Sequence, residues 1–328
     1  MAFMTKPFVI GSLAVLGAMS AAPAMAQQTL NATGASFPAP LFELWFQELE
    51  QNDGPVVNYT PVNSTTGIRQ LVELEVDFGA TDRPLTPTTA AKVKRGLVQI
   101  PVVGGSVAVG YNKPGCDLKL TQKQLTSIFL GSIDNWKELG CKEGPIKVVT
   151  RSDSSGTTLA FTKSLASWSP EFNTSVGEGL KVSWPVGISS EGNEGISSSL
   201  ESTEGSIGYL NVPGIKGILK AAEIQNKAGN YMLPNSATGI AAMESIKEAG
   251  LTPEAISNPP GRDAYPIVAM SWLQAYESGN GMQAEAIRDT FRFMLSNPAQ
   301  SQADNLGYVP LSKALQESAM TEVEKISE

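Results

Sequence analysis

The sequence predicts an α/β fold with a parallel or mixed sheet. Short apolar or alternating runs typical of β-strands alternate with segments whose apolar residues recur at helical spacing, and this alternation places helices on the faces of a sheet. The predicted strands span residues 56–62, 76–82, 97–112, 146–151, 206–212 and 265–273. The predicted helices span residues 38–51, 66–75, 121–130, 157–167, 193–202, 236–249 and 282–295. Ligands of such folds bind at the carboxyl ends of strands, where helices begin.

The first 26 residues have the pattern of a secretory signal peptide. Lys6 precedes an apolar run at residues 8–22, and the segment ends in the small-x-small sequence AMA that signal peptidase cuts. A membrane anchor is the alternative, but an uncharged core of about 15 residues is short of the roughly 20 that a spanning helix needs. We expect cleavage after Ala26 and a soluble mature chain, residues 27–328, without a lipid anchor because no cysteine stands at the predicted cut.

The composition argues against several classes of function. The formal net charge is −8, from 24 basic and 32 acidic residues, whereas nucleic acids and anionic membranes bind basic surfaces. The chain contains no histidine. This removes Ser-His-Asp and Cys-His catalysis, the usual zinc sites and the commonest general base near neutral pH. We therefore expect no enzyme activity, no metal, no cofactor and no nucleic-acid partner.

Cys116 and Cys141 are the two cysteines of the chain. In an exported protein an isolated pair favours a structural disulfide, which would contribute roughly 3 kcal/mol by closing a loop in the unfolded chain. Two free buried thiols are the alternative. Neither interpretation makes the cysteines catalytic.

Three predicted helices begin near a serine and lack an acidic residue in their first turn. Ser36 in GASFPAPLFELWFQELE, Ser64 in VNSTTGIRQLVELE and Ser155 in RSDSSGTTLAFTKSL are the expected N-caps. The apolar faces behind the first two would comprise Leu41, Leu44, Trp45 and Leu49, and then Ile68, Leu71 and Val72. A helix N-terminus carries about half a positive charge, which an acid in the first turn usually balances. Three unbalanced ends favour an anion ligand, although each serine alone could be an ordinary cap.

Arg151 and Asp82 extend this predicted anion site. The guanidinium of Arg151 offers a planar fork of donors, which Asp153 could hold in place; an exposed ion pair of little consequence is the alternative. Asp82 ends the predicted strand at 76–82 and would repel an anion unless that anion carries a proton. Hydrogen phosphate keeps a proton at neutral pH and sulfate does not, so a carboxylate here would favour phosphate by several kcal/mol. A turn before Arg83-Pro84 is the alternative role of Asp82.

Seven segments, taken together, carry a family likeness. They are GASFPAP, VNYTPVNSTTG, VDFGATDRPL, RSDSSGTT, SWPVGISSEGNEGI, GSIGYLN and DAYPI. With them the chain resembles the periplasmic phosphate-binding proteins of phosphate-specific ABC importers over nearly all of its mature length. The resemblance implies a type II periplasmic-binding-protein fold, in which two α/β lobes are joined by two crossing strands and close on the ligand. The crossings would lie at 106–112 and 265–270, between a first lobe of residues 27–109 and 267–328 and a second lobe of residues 110–266.

The resemblance also implies a ligand set drawn from both lobes. The first lobe would bind phosphate through Ser36, the Phe37 amide, Ser64 and Asp82. The second lobe would bind it through Arg151, Ser155, the Gly156 amide and Thr157, with Asp153 orienting the arginine. The family often has threonine at the position of Ser36, and a more glycine-rich loop in place of NSTTG.

This resemblance implies high-affinity capture of inorganic phosphate in the periplasm by a monomer, followed by delivery to the permease subunits of an ABC importer. Three alternatives stay open from the residues alone. The ligand could be another tetrahedral oxyanion, such as sulfate or molybdate. The same cradle could serve a secreted phosphatase with Ser155 as nucleophile, or a phosphate-responsive surface protein without a role in transport.

Overall fold

The computed structural model of the chain describes residues 1–2 and 27–328. The predicted signal peptide, apart from its first two residues, lies outside the described part, so cleavage after Ala26 stays a prediction. Among the described residues, no helix combines the length and the apolarity needed to cross a bilayer.

Strands and helices alternate along the described chain, as the sequence predicts. The strands are Thr29–Gly34 (β1), Val56–Pro61 (β2), Phe78–Thr81 (β3), Val98–Asn112 (β4), Lys119–Leu120 (β5), Lys147–Arg151 (β6), Ile188–Ser190 (β7), Ser206–Asn211 (β8), Lys220–Ala221 (β9), Glu223–Gln225 (β10), Tyr231–Met232 (β11), Val268–Ala275 (β12) and Tyr308–Val309 (β13). The α-helices are Ala39–Gln51 (α1), Ser64–Val72 (α2), Pro87–Ala90 (α3), Gln122–Leu130 (α4), Gly156–Trp168 (α5), Pro170–Ser175 (α6), Gly192–Glu201 (α7), Ser236–Glu248 (α8), Pro253–Ser257 (α9), Gln283–Met294 (α10), Asn297–Asn305 (α11) and Lys313–Val323 (α12).

A ten-stranded mixed sheet organises the molecule. Its strand order is β2-β1-β3-β12-β4-β8-β6-β7, and β13 and β9 also pair with β4. The pairs of β1 with β2 and β3 are parallel, and so are those of β6 with β7 and β8. The two parallel parts are joined through the antiparallel pairs of β12 with β3 and β4, and of β4 with β8. This arrangement confirms the predicted α/β class with a mixed sheet.

Strand β4 connects the two parallel parts. Its residues 98–106 pair with β12, and its residues 107–112 pair with β8. The amide of Val107 donates to the carbonyl of Ile267 at 2.9 Å, so the returning chain lies beside the crossing. The fold is therefore the two-lobed periplasmic-binding fold with two crossing strands. The part that contains β1, β2 and β3 is the first lobe and the part that contains β6, β7 and β8 is the second, while the residue bounds proposed above for each lobe stay a prediction.

The amphipathic pattern of α1 places its apolar side in the core, with one correction. Leu41, Trp45 and Leu49 are buried as predicted, and Phe42 and Phe46 join them. Leu44 is exposed, which contradicts its predicted place on the buried face. Phe42 and Phe46 occupy that face and pack around Tyr59 of β2. Leu44 therefore turns toward solvent.

An aromatic cluster in the second lobe supports the start of α5. The rings of Phe161 and Tyr209 are stacked with centroids 4.3 Å apart, and Phe129 and Trp184 pack around them. The hydroxyl of Tyr209 accepts a hydrogen bond from the amide of Arg151 at 3.2 Å. The core of this lobe therefore reaches directly to the end of β6, where the arginine of the predicted site stands.

The structure joins Cys116 and Cys141 in a disulfide, with their Cα atoms 5.5 Å apart. Cys116 is buried, and its carbonyl accepts a hydrogen bond from the hydroxyl of Tyr111 on β4. The bond therefore ties the segment after β4 to the loop before β6, at a sequence separation of 25 residues.

Replacing both cysteines by serine should lower the free energy of unfolding by about 3 kcal/mol, because the unfolded chain gains the freedom of an open loop. Urea denaturation of the native chain and of the double variant measures this difference. The native chain under reducing conditions provides the matched control and should lose a similar amount. Equal unfolding free energies for all three samples would show that the disulfide does not stabilise the fold.

Candidate anion site

The three predicted N-caps have different outcomes in the structure. Ser155 caps α5, and its Oγ accepts hydrogen bonds from the amides of Thr157 and Thr158 at 3.1 and 3.3 Å. The prediction for Ser36 is wrong, because α1 begins two residues later, after Pro38, a residue that suits the start of a helix. For Ser64 the prediction is also wrong.

Asn63 is the N-cap of α2, and its side chain accepts a hydrogen bond from the amide of Thr66 at 2.9 Å. The asparagine oxygen reaches the third amide of the helix, and Ser64 becomes the first helical residue with its hydroxyl released from capping. The first turns of α1, α2 and α5 contain no acidic residue, as predicted. Their amide ends are therefore not balanced by a carboxylate of the same helix.

All three serines nevertheless lie just beyond strands that point toward the crossing between the lobes, since the strands of the two lobes run in opposite directions. Ser36 follows β1 and Ser64 follows β2 in the first lobe, whereas Ser155 follows β6 in the second. Asp82 stands directly after β3, and Arg151 is the last residue of β6. These are the carboxyl ends of parallel strands, where this class of fold binds ligands.

Close contacts bring the two lobes together around the start of α5. A Cβ atom built on Gly156 would lie 2.3 Å from Cβ of Asp82, so only glycine permits this approach. The amide of Asp82 donates to Oγ of Ser64 at 3.4 Å. On the other side, Nδ2 of Asn193 lies 3.0 Å from Oγ of Ser36 and 3.5 Å from Oγ1 of Thr157. The predicted ligand residues are thus neighbours, although they come from separate strands.

The three serine hydroxyls all accept hydrogen bonds from N–H groups. Oγ of Ser36 accepts from the amide and from Nδ2 of Asn193, at 3.2 and 3.0 Å. Oγ of Ser155 accepts from two amides, and Oγ of Ser64 accepts from one. A hydroxyl has one donor hydrogen and two acceptor positions. Because N–H groups occupy both acceptor positions of Ser36 and Ser155, and one of Ser64, these hydroxyls are available to donate their hydrogens, which suits a ligand rich in oxygen acceptors.

Arg151 supplies a buried positive charge whose orientation is fixed. Its side chain is 1% exposed, and Asp153 beside it is 6% exposed. Nε donates to one carboxylate oxygen at 2.6 Å and Nη2 donates to the other. Nη1 is buried and has no hydrogen-bond partner among the described residues. The paired side of the guanidinium faces Asp153, and the free amino group is a donor for an external acceptor.

Burial alone would raise the pKa of Asp153. The hydrogen bonds to its carboxylate and the charge of Arg151 outweigh burial, so the pKa lies below its usual value. The carboxylate of Asp153 therefore stays ionised near neutral pH. Its Oδ1 also accepts from the amide of Gly192 at the start of α7. Asp153 is thus held from two sides, by Arg151 and by the amide of Gly192.

Asp82 differs from Asp153 in its protonation. Burial raises the pKa of Asp82 to about 7, although the hydrogen bond from Ser271 and the charge of Arg151 act in the opposite direction. Ser271 Oγ donates to Oδ1 at 2.8 Å, and Asp82 is 8% exposed. The carboxyl group is therefore divided between its neutral and ionised forms at neutral pH. The sequence predicts a carboxylate here, and this is the form that prevails above pH 7.

The Ser36-Phe37 segment is held on both sides, by the partly buried Tyr59 and by the buried Tyr308. The hydroxyl of Tyr59 donates to the carbonyl of Ala35 at 2.7 Å, and the hydroxyl of Tyr308 donates to the carbonyl of Phe37 at 2.6 Å. Burial raises the pKa of both phenols well above the usual value, and the charge of Asp82 acts in the same direction, so both hydroxyls remain donors. With these two carbonyls fixed, the peptide between Ser36 and Phe37 has little freedom to rotate.

Comparison with known proteins relates this architecture to one family. The family model described as the PBP superfamily domain matches residues 20–298. The phosphate-binding protein PstS of Xylella fastidiosa strain Temecula1 is 34% identical over 318 residues, covering 90% of this chain and 85% of its own. The phosphate-binding protein PstS of Pasteurella multocida is 33% identical over 328 residues, covering 94% and 92%. The chain belongs to the PstS family.

The solved structures give the same fold. A phosphate-binding protein from Stenotrophomonas maltophilia superposes with a TM-score of 0.72 at 21% identity, covering 90% of this chain and 93% of that one. At this level of identity the match describes the backbone architecture, and it agrees with the two lobes joined through β4 and β12.

Three side chains that contact the site of this PstS family member were not singled out from the sequence. They are Asn193 after β7, Asn211 at the end of β8, and Ser271 on β12. The first two lie inside the segments SWPVGISSEGNEGI and GSIGYLN, which carried the resemblance without an assigned role. Asn193 follows a strand and Asn211 ends one, and this position is the signal that could have identified them, whereas Ser271 lies inside β12 and carries no such signal.

The pKa of Asp82 predicts how stability depends on pH in the absence of ligand. The folded value of about 7 exceeds the usual 3.8, so the folded chain binds this proton more tightly than the unfolded chain. The contribution is complete below the usual value and is lost as the pH rises through about 7. Between about pH 5 and about pH 9 the loss should be about 3 kcal/mol.

The variant Asp82→Asn isolates this effect, because its amide does not titrate. Unfolding free energies of both chains, measured in phosphate-free buffers across this range, should diverge in favour of the variant as the pH rises. A constant difference between the two chains would mean that Asp82 is ionised throughout. The exposed Asp53→Asn variant is the control and should follow the native chain.

Proposed function

We propose that the chain binds inorganic phosphate in the periplasm with high affinity and delivers it to the permease of an ABC importer. The observation that carries the proposal is the donor set at the strand ends. Three serine hydroxyls have N–H groups in their acceptor positions, and Nη1 of Arg151 is buried with no partner in the described part of the chain. Leaving such donors buried and unpaired costs free energy, which an oxyanion would recover.

Phosphate is the oxyanion that fits the remaining polar group. Asp82 lies in contact with Gly156 and bonds Ser64 through its amide, so its carboxyl group faces the same space as the donors. A carboxylate accepts a hydrogen bond only from a ligand that keeps a proton, as hydrogen phosphate does. We infer that the ligand contacts are Ser36, the Phe37 amide, Ser64, Asp82, Arg151, Ser155, the Gly156 amide and Thr157, with Asp153 orienting the guanidinium.

The names of the curated relatives support this role, since they are binding proteins by name. We infer that the chain likewise acts without covalent chemistry. As a monomer, it would bind free phosphate and carry it to the permease. Export through the predicted signal peptide, with cleavage after Ala26, would place it in the periplasm. Closure of the two lobes about β4 and β12 would then bury the anion.

Removing the guanidinium should weaken phosphate binding strongly. Arg151→Ala takes a charged donor from a desolvated anion, so the binding free energy should fall by about 2 to 4 kcal/mol. Isothermal titration of the native chain and the variant with phosphate measures the loss. Arg262→Ala, which removes an exposed arginine of the same lobe, is the control and should bind as the native chain does. An unchanged dissociation constant for Arg151→Ala would place the ligand elsewhere.

Discrimination against sulfate should depend on pH, because Asp82 titrates at about 7. Above this value the carboxylate only accepts hydrogen bonds and rejects a fully deprotonated oxyanion. Below it the neutral carboxyl group can donate, and sulfate gains a partner. The affinity ratio of phosphate to sulfate should therefore fall as the pH is lowered from about 8 to about 5.5.

Competition titrations with both anions at each pH measure this ratio. Asp82→Asn presents an amide donor at every pH, so its ratio should be small and nearly constant. A native ratio that does not change with pH would refute the role of Asp82 in selectivity, while leaving phosphate binding itself intact.

A further inference from the structure

Two asparagines of the second lobe hold the ligand segment of the first lobe. Asn193 is 3% exposed and Asn211 is 1% exposed. Asn193 donates to Oγ of Ser36 through both its main-chain N–H group and its side-chain Nδ2 atom. Asn211 donates through Nδ2 to the carbonyl of Phe37 at 2.8 Å. Asn193 stands in the first turn of α7 and Asn211 ends β8, both in the second lobe, whereas Ser36 and Phe37 follow β1 of the first.

The two asparagines are also bonded to each other. The amide of Asn211 donates to Oδ1 of Asn193 at 3.0 Å. This bond lies within the second lobe, so it persists when the lobes move apart. It requires an acceptor at Oδ1 and therefore turns Nδ2 of Asn193 toward Ser36. The donor is preorganised before the lobes meet, and closing the lobes orders fewer groups.

The contact has a second consequence for Ser36. Its Oγ accepts two hydrogen bonds from Asn193, which fills both acceptor positions of the hydroxyl. The hydrogen of Ser36 must then point elsewhere, and the predicted ligand position lies on its other side. When the lobes are in contact, the two bonds from Asn193 therefore leave the Ser36 hydroxyl able only to donate a hydrogen bond.

A cavity of about 740 Å³ between the lobes ends at this contact. Its walls include Ser36, Asn193 and Asn211, but not Asp82 or the buried residues at the start of α5. The bonds of the two asparagines to the Ser36-Phe37 segment therefore separate the open cleft from the buried donors.

We propose that Asn193 and Asn211 form a latch that holds the lobes closed over the anion and fixes Ser36 as a donor toward it. This inference rests on the proposed function. The hydrogen bond between Thr65 and Ser154 also crosses between the lobes, but both side chains are partly or fully exposed and water competes for them. The buried asparagines therefore set how long the closed form lasts.

The test compares phosphate release from the native chain and from Asn193→Ala. Dilution of radiolabelled phosphate complexes into excess unlabelled phosphate, with rapid filtration, gives the rate of release. The variant keeps the main-chain bond to Ser36 but loses the Nδ2 bonds to Ser36 and Thr157 and the Oδ1 acceptor for Asn211, so its release rate should rise by about tenfold or more. The association rate should change by less than about twofold, because the latch forms after the encounter.

A distance measurement reports closure directly. Spin labels on Gln51→Cys in the first lobe and Ser202→Cys in the second, both at exposed positions, give the distance between the lobes by double electron–electron resonance. With saturating phosphate the native chain should show one narrow distance distribution. Asn193→Ala should add a longer component.

Asn112→Ala is the matched control. Asn112 is also 3% exposed, and its Nδ2 donates to the carbonyls of Leu200 and Glu201 at the far end of α7. This variant should unfold at a lower temperature but release phosphate at the native rate. Should Asn193→Ala give too little folded protein, Asn193→Ser keeps a small polar group there and should also release phosphate faster.

The outcomes separate the two proposals. If the native chain binds phosphate and the Asn193 variants release it at the native rate, the latch is refuted and the proposed function stands. If the native chain binds no phosphate, both are refuted. Equal acceleration in Asn112→Ala would show that loss of stability, rather than loss of the latch, causes faster release, and this too would overturn the proposal.

Discussion

The buried guanidinium of Arg151 is the constraint around which the rest of the site is arranged. A charged group that is 1% exposed needs partners for its donors, since its hydration is lost. Asp153 satisfies Nε and Nη2, and the remaining donor, Nη1, is buried without a partner among the described residues. The site is therefore incomplete without an acceptor, and an oxyanion is the simplest group that satisfies every donor together.

The topology explains how residues distant in sequence supply these donors. Parallel strands end at one edge, so Ser36, Ser64 and Asp82 follow three strands of the first lobe, and Arg151 ends a strand of the second. Because β4 pairs with both lobes, it fixes the two edges against each other while leaving a hinge at the crossing. Close approach then depends on small residues, of which Gly156 against Asp82 is the clearest.

The sequence predicts the α/β class and the strands and helices with clear periodicity, but not the local geometry. The buried side of helix α11 has only small and polar residues, such as Ala299 and Gln300. Its sequence therefore lacks the apolar stripe from which a helix is predicted. Serine and asparagine are equally good caps, so the sequence does not distinguish Ser64 from the neighbouring Asn63 as the cap of α2. Burial, which moves the pKa of Asp82, depends on Ser271 and the packing of β12, information that no local segment contains.

The charge balance of the site accounts for an anion ligand in a chain of net charge −8. Asp153 compensates Arg151, and Asp82 adds negative charge whenever it is ionised, so the site offers a dianion no excess of positive side chains. Attraction must then come from oriented dipoles, namely the amide ends of α1, α2 and α5 and the hydroxyls of Ser36, Ser64 and Ser155. Such dipoles act over a few ångströms and depend on direction. A site built this way selects its ligand by the number and placement of its oxygens and protons rather than by its charge, and it can do so only when both lobes are closed around it.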